Sequence, residues 1–184
     1  LLGVPVQFFR SDVFEAANLV GGDSPCYMCA RMRRGYLYAR AAELGCNKIA
    51  LGHHRSDVIE TTLIGMLYGG QIQGMMPRIK SANFEGMELI RPMYCVSEED
   101  ILHWRDYNGL EFIACACRFT QKLAENGQVN SARKRVKELI KELKRDNPDV
   151  EKSIFKSLHN VQLDTLIEYK TGAERHNFLE KFDG

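Results

Sequence analysis

Between Pro25 and Thr61 the chain reads PCYMCARMRRGYLYARAAELGCNKIALGHHRSDVIET: a helix, a short apolar strand and a second helix with almost nothing between them. That order constrains the fold more than any other feature. Parallel strands are joined only through long crossovers, so strands alternating with helices predict βαβ units and a parallel sheet. The first helix is expected from about Met28 to Leu44. Met32, Leu37, Ala39, Ala42 and Leu44 would face a core, Arg31, Arg33, Arg34 and Arg40 would face out, and Gly45 would stop it. Asn47–Leu51 is the strand. Ser56 is the expected N-cap of the second helix, where the pairs Val58/Ile59, Thr62/Leu63 and Met66/Leu67 recur every four residues until Gly69-Gly70.

The rest of the chain fits the same alternation. Val4–Phe9 reads as a buried strand, Asp12–Leu19 as one or two helical turns, Gln71–Ile79 as a loop, and Met87–Ile90 as a strand ended by Arg91-Pro92. Ser97–Asn108 is a helix capped by Ser97, with Glu98, Glu99 and Asp100 favourable to its dipole. Glu111–Ala114 reads as a short strand. From Gln128 to Arg145 the apolar residues Val129, Ala132, Val136, Leu139, Ile140 and Leu143 mark an amphipathic helix with a Lys/Arg-rich outer face. Asn147-Pro148 breaks it, a further helix runs to about Asn160, and the residues after Leu163 read as a polar tail with some helical character. Ligands of parallel sheets sit at the carboxyl ends of strands, where Gly52, Arg91 and Cys115 are expected.

The net charge of +1 says nothing about a polyanionic partner, but its distribution does. From Cys26 to Arg55 there are six basic residues against one acidic; from Ser56 to Thr120, five against nine; from Gln121 to Asn160, ten against six. Six cysteines in a chain of 184 residues, with no signal peptide and no apolar run of membrane-spanning length, point to reduced or metal-bound thiols. The expectation is a cytoplasmic protein with no membrane partner.

Three groups carry candidate chemistry. Cys26 and Cys29 form a Cys-x-x-Cys pair, and Cys115 and Cys117 a second cluster. Together they suit a metal, but a redox dithiol or plain small apolar residues satisfy the same pattern. Cys46 and Cys95 read as core or loop residues. Gly52, His53 and Asp57 lie where a strand turns into a helix, and a glycine followed by helix-terminal amides favours an anion; a polar turn has the same composition. Arg31, Arg33 and Arg34, followed by Tyr36 and Tyr38, can grip phosphates and stack on bases, or form the wet face of a helix.

The blocks CYMCARMRRGYLY, ALGHHRSDVIETTL, GMMP and IRPM, followed by the second cysteine cluster, resemble in their order the PP-loop ATP pyrophosphatase superfamily, and within it the tRNA 2-thiocytidine synthetase group. The resemblance runs from about Leu2 to Asn160. It implies an α/β, parallel-sheet, adenine nucleotide α-hydrolase-like fold, related to the Rossmann architecture, with C-terminal helices. It also implies a nucleotide domain over residues 1–120 and a basic helical extension over residues 121–184. The implied reaction is ATP-dependent: a cytidine in the tRNA anticodon loop is adenylated at its C2 oxygen, and sulfur then displaces AMP. In that group three cysteines hold a [4Fe–4S] cluster; they map onto Cys26, Cys29 and Cys115, with Cys117 as the alternative third ligand. ATP with Mg2+ maps onto Gly52, His53 and Asp57. The partners implied are tRNA, bound through Arg31, Arg33 and Arg34, a sulfur donor (sulfide or a cysteine desulfurase), and a second copy in a homodimer.

The chain departs from the group in three places. Ser56 stands where the group has the first of two aspartates. The second cysteine pair is Cys115-Ala116-Cys117 rather than Cys-x-x-Cys, which opens a four-thiolate site that would also suit Zn2+. The S-G-G-K-D-S phosphate loop of the group would lie upstream of Val4–Phe9, and this chain starts at Leu1, later than that loop. The expectation is therefore an incomplete polypeptide that does not hydrolyse ATP unaided.

Overall fold

Proline at the first turn and glycine just past the end frame helix α1, Pro25–Glu43. Gly45 reverses the chain with φ 71°, and its amide donates to the Ala42 carbonyl at 2.9 Å. The computed structural model describes residues 3–13, 15–16, 25–112 and 132–182, with the backbone alone at residues 25–27 and 181. They fall into two units, residues 1–53 with 76–93 and residues 54–75 with 94–184.

The first unit holds α1 and a three-stranded sheet of β1 (Lys48–Ala50), β2 (Arg78–Lys80) and β3 (Glu88–Ile90), in the order β1-β3-β2. The expected parallel pair is present: β1 runs parallel to β3, with Ile49 opposite Leu89. Met87 and Leu89 are the buried apolar residues of this sheet. The loop expected at Gln71–Ile79 instead leads into β2, which pairs antiparallel with β3. Its three residues, Arg-Ile-Lys, are all exposed, so no apolar alternation announces it. A fork from Arg78 to both carboxylate oxygens of Glu88, at 2.6 and 3.1 Å, ties it to β3 and holds the Glu88 carboxyl below its usual range.

The strand expected at Val4–Phe9 is not formed among the described residues. Val4, Val6 and Phe8 are exposed, Phe8 to 95%. A strand exists only through ladder partners, and here side chains fix the segment instead. The Tyr36 hydroxyl donates to the Arg10 carbonyl at 2.7 Å, and Phe9 packs between the Tyr36 ring and the Arg40 guanidinium. Of the helical turns expected at Asp12–Leu19, the described residues show one bond, Ala16 N–H to the Asp12 carbonyl. Ala42 near the end of α1 and Leu44 just past it are exposed rather than core.

The second unit is helical: α2 (Arg55–Gly69), α3 (Glu98–Tyr107), α4 (Ala132–Asp146) and α5 (Val150–Ser157). Ile59 of α2 and Val136 and Ile140 of α4 form its core, with Leu63, Ile64, Ile154 and Phe155 packed around them. Of the stripe that the periodicity predicts on α4, Val136 and Ile140 are buried and Ala132 and Leu139 half-buried, while Leu143 is exposed and Val129 lies outside the described residues. The third pair on α2 is not: Met66 and Leu67 are exposed, because the helix leaves the core before its last turn. Ser97 caps α3 as expected. Its hydroxyl accepts from Asp100 N–H at 3.0 Å, and the Asp100 carboxylate accepts from the Ser97 hydroxyl and the Ser97 N–H, which together hold that carboxyl below the ordinary range.

The polar tail has the expected helical character in two 3-10 turns, Leu163–Thr165 and Phe178–Lys181, and between them an unexpected β-hairpin: β4 (Glu168–Thr171) pairs antiparallel with β5 (Glu174–Asn177). Gly172 supplies φ 64° in the two-residue turn, and Tyr169 stacks on His176 directly across the ladder at 4.8 Å. Glu111 and Phe112 carry no regular structure. The rest of the strand expected there, the start of the helix expected from Gln128, and the domain boundary expected at residue 120 lie among residues 113–131, outside the described residues.

Candidate functional site

Cys26 and Cys29 occupy the first two turns of α1. Residues three apart on a helix are neighbours, with Cβ atoms about 5–6 Å apart. Cys29 is partly buried and free. Of the four cysteines expected as metal ligands, Cys26 is described by its backbone alone, and Cys115 and Cys117 lie outside the described residues. Arg31, Arg33 and Arg34 follow on the same helix and are exposed. Arg34 donates to the Ala30 carbonyl at 3.3 Å, while Arg33, four residues after Cys29, shares the thiol face. Cys46 and Cys95 are both exposed loop residues.

In the same unit, Gly52 and His53 follow the end of β1. A Cβ added at Gly52 would meet only the Met93 methyl, at an ordinary 3.6 Å. Packing within the protein therefore does not require glycine there. Arg91, buried at the end of β3, donates to the Met76 carbonyl, and its amide donates to the Pro77 carbonyl at 2.9 Å. The sequence blocks GMMP and IRPM are thus joined through one arginine.

In the second unit the chain opens α2, and the cap is His54 rather than Ser56. The decisive residue is Asp57 at the third helical position: its Oδ2 accepts from His54 N–H at 3.0 Å and lies 3.4 Å from His54 Nε2. Ser56 instead accepts from Glu98 N–H at 3.2 Å, and Arg55 N–H donates to the Val96 carbonyl at 2.8 Å. The first turns of α2 and α3 are therefore bonded together. Asp57 Oδ1 is held 3.3 Å from Nη1 of Arg133 on α4.

Arg133 also places Nε 3.3 Å from Glu60 Oε2. Lys137, one turn on, lies 3.5 Å from Glu60 Oε1 and 2.9 Å from Glu98. Farther along, Lys144 bridges Glu99 and Glu151. Three cations of the basic helix thus face acidic partners inside the unit rather than an outside polyanion. A cleft of ≈ 230 Å³ opens beside this network and carries both signs of charge on its walls, among them Glu60, Lys137, Lys141 and Lys144.

Sequence reasoning missed Glu60 and Arg133. The available signal was a carboxylate beside Ile59, on the stripe that should be apolar, and basic residues spaced four apart on α4.

Glu60 is 2% exposed, and burial pushes its carboxyl pKa up. Lys137 and Arg133 pull it down, and Asp57 and Glu98 add to the rise. Burial pulls the Lys137 ammonium down, but the Glu98 and Glu60 carboxylates outweigh it and hold its pKa above the usual value. A carboxyl with a raised folded-state pKa binds more protons folded than unfolded, so its contribution is fully present below 4.5 and is lost as pH rises through the raised pKa. Glu60→Gln should remove that component. Urea unfolding across this range should show wild type losing stability relative to the variant as pH rises; a constant difference would contradict the assignment.

A profile of the PP-loop domain family matches residues 25–142. The chain is 40% identical over 147 residues to a tRNA-cytidine(32) 2-sulfurtransferase of Geobacter metallireducens, covering 80% of this chain and 54% of that protein. It is 35% identical over 170 residues to that of Anaeromyxobacter dehalogenans, covering 91% and 56%. The chain thus spans about half the length of these curated relatives. Among solved structures, the U34-tRNA thiolase NcsA from Methanococcus maripaludis, determined with its [4Fe–4S] cluster, superposes with a TM-score of 0.58 at 20% identity, over 86% of this chain and 52% of that one. That likeness establishes an α/β fold of the same kind.

Proposed function

Because the chain belongs to the PP-loop domain family, we propose that it is part of an ATP-dependent tRNA sulfurtransferase that converts a cytidine of the anticodon loop to 2-thiocytidine. The observation that carries the reading is an arrangement within the first unit. The thiol turn at the start of α1 is followed, one strand later, by the Gly52-His53 turn at the carboxyl end of β1. The curated relatives carry the matching name, and the solved neighbour is a tRNA thiolase.

Each group has a role in this reading. Gly52 lets a nucleotide approach the backbone, and His53 lies beside it on the ATP side. Asp57 holds the first turn of α2 in shape, so that helix-terminal amides are presented to phosphates accompanied by Mg2+. Cys26 and Cys29, with Cys115 or Cys117, would hold a [4Fe–4S] cluster, which when bound supplies a site for the transferred sulfur. The sulfur itself would come from sulfide or a cysteine desulfurase in the cytoplasm. Among the described residues no helix is long and apolar enough to cross a membrane.

Nucleoside mass spectrometry of tRNA from a strain lacking the gene tests the reading. 2-Thiocytidine should vanish and return with the full-length gene; its persistence would sink the proposal. Arg31, Arg33 and Arg34 are the proposed phosphate contacts. Replacing Arg33 and Arg34 with alanine should weaken tRNA binding and reduce the log–log salt slope by roughly 1.4–1.8, the effect of two lost phosphate contacts. An unchanged slope would return both to plain surface.

A further inference from the structure

The Asp57 carboxylate is held from two sides. One oxygen takes the His54 amide of its own helix, and the other faces Arg133, which lies 76 residues away in sequence on α4. Arg133 is itself anchored, since its Nε faces Glu60. Glu60 is nearly fully buried and receives Lys137 on its other oxygen. The order is therefore Asp57, Arg133, Glu60, Lys137, Glu98, an alternation of acidic and basic groups across α2, α4 and α3. The Arg133 guanidinium meets the two carboxylates with separate N–H groups, Nη1 toward Asp57 and Nε toward Glu60, in a fixed planar geometry that a single ammonium does not reproduce. Half of the Arg133 side chain remains exposed, so it is not an inert core residue.

We propose that Arg133 is a positioning residue of the nucleotide site: it locks the Asp57 carboxylate into the cap of α2 and thereby sets the helix-terminal turn that receives ATP. This rests on the reading of Asp57 and its turn as part of the nucleotide corner. The physical case is the geometry. Without Arg133, Asp57 keeps one bond and can rotate away from His54, and Glu60 loses one of its two cations. A buried carboxylate left short of a partner disturbs the turn that carries it. ATP affinity then depends on a residue that need never touch ATP.

The test uses the gene's full-length product and measures KM and kcat for ATP together with the melting temperature. Arg133→Met should raise KM for ATP by about tenfold with kcat little changed. Arg133→Lys should fall between wild type and Arg133→Met, and it serves alone if the methionine variant does not fold. Lys144→Met is the control: it breaks ion pairs of α4 to α3 and α5, away from Asp57. It should lower the melting temperature while leaving KM at the wild-type value. If Arg133→Met and Lys144→Met raise KM equally, Arg133 merely docks α4 and the proposal fails. If Asp57→Asn raises KM and neither Arg133 variant does, the proposal fails while the nucleotide corner stands. If none of the Asp57 and Arg133 variants changes KM, the reading of that corner is itself wrong.

Discussion

Cys29→Ala in the full-length protein should reduce tRNA thiolation to background while leaving the fold in place. Cys29 lies in the second turn of α1 and is partly buried, so alanine leaves no large void, and alanine is the best helix former. The expected stability change is within about 0.5 kcal/mol apart from any contribution of bound metal. The chemical change is total. A cluster held by three thiolates has none to spare, and metal binding depends on the full ligand count. The variant should lose brown colour, iron and acid-labile sulfide together. Cys46→Ala and Cys95→Ala, at exposed loop positions, should keep all three along with activity. Undiminished thiolation in Cys29→Ala would exclude the thiol pair from the reaction, whatever became of the colour.

Ile59→Ala should cost about 2–5 kcal/mol of stability, the range for removing a fully buried aliphatic side chain and leaving a partly collapsed cavity. Ile59 is 1% exposed and meets Val136 and Ile140, so it joins α2 to α4. A typical domain has about 5–15 kcal/mol in total, so this one change takes a large share of it. Urea unfolding should show a lower midpoint at unchanged slope. Met66→Ala, one and a half to two turns further on and exposed, should stay within about 0.5 kcal/mol of wild type. Equal losses at the two positions would mean that the core of this unit lies elsewhere.

The elements that were legible in the sequence have local causes. Gly45 and Gly70 end helices because each adopts positive φ, Ser97 and Asp100 complete a capping box within four residues, and the stripe on α4 follows helical period. The parallel pair β1/β3 was legible from apolar runs bounded by glycine and Arg91-Pro92, and the family from blocks that survive as short contiguous motifs.

What escaped depends on partners distant in the chain or on single-residue offsets. Strand β2 exists because β3 offers it an edge, and its own three residues say nothing of that. Val4–Phe9 has strand composition but pairs with no described strand. The hairpin at Glu168–Asn177 is held by a Tyr169–His176 stack and a glycine turn inside a polar stretch. His54 rather than Ser56 caps α2 because Asp57 stands at the third helical position and accepts from the His54 amide, while Glu60 farther along the helix faces Arg133 and Lys137. The basic helix looked like a surface for nucleic acid because its acidic partners in α2 and α3 lie 39 to 77 residues upstream.

The most direct test of the central claim is a count of iron, acid-labile sulfide and zinc per chain after anaerobic purification of the gene's full-length product. A tRNA sulfurtransferase with a thiolate-held cluster predicts about four iron and four sulfide per chain, with both lost in Cys29→Ala. Stoichiometric zinc without sulfide, or no metal under strictly anaerobic handling, would contradict it and leave only the nucleotide-binding fold standing.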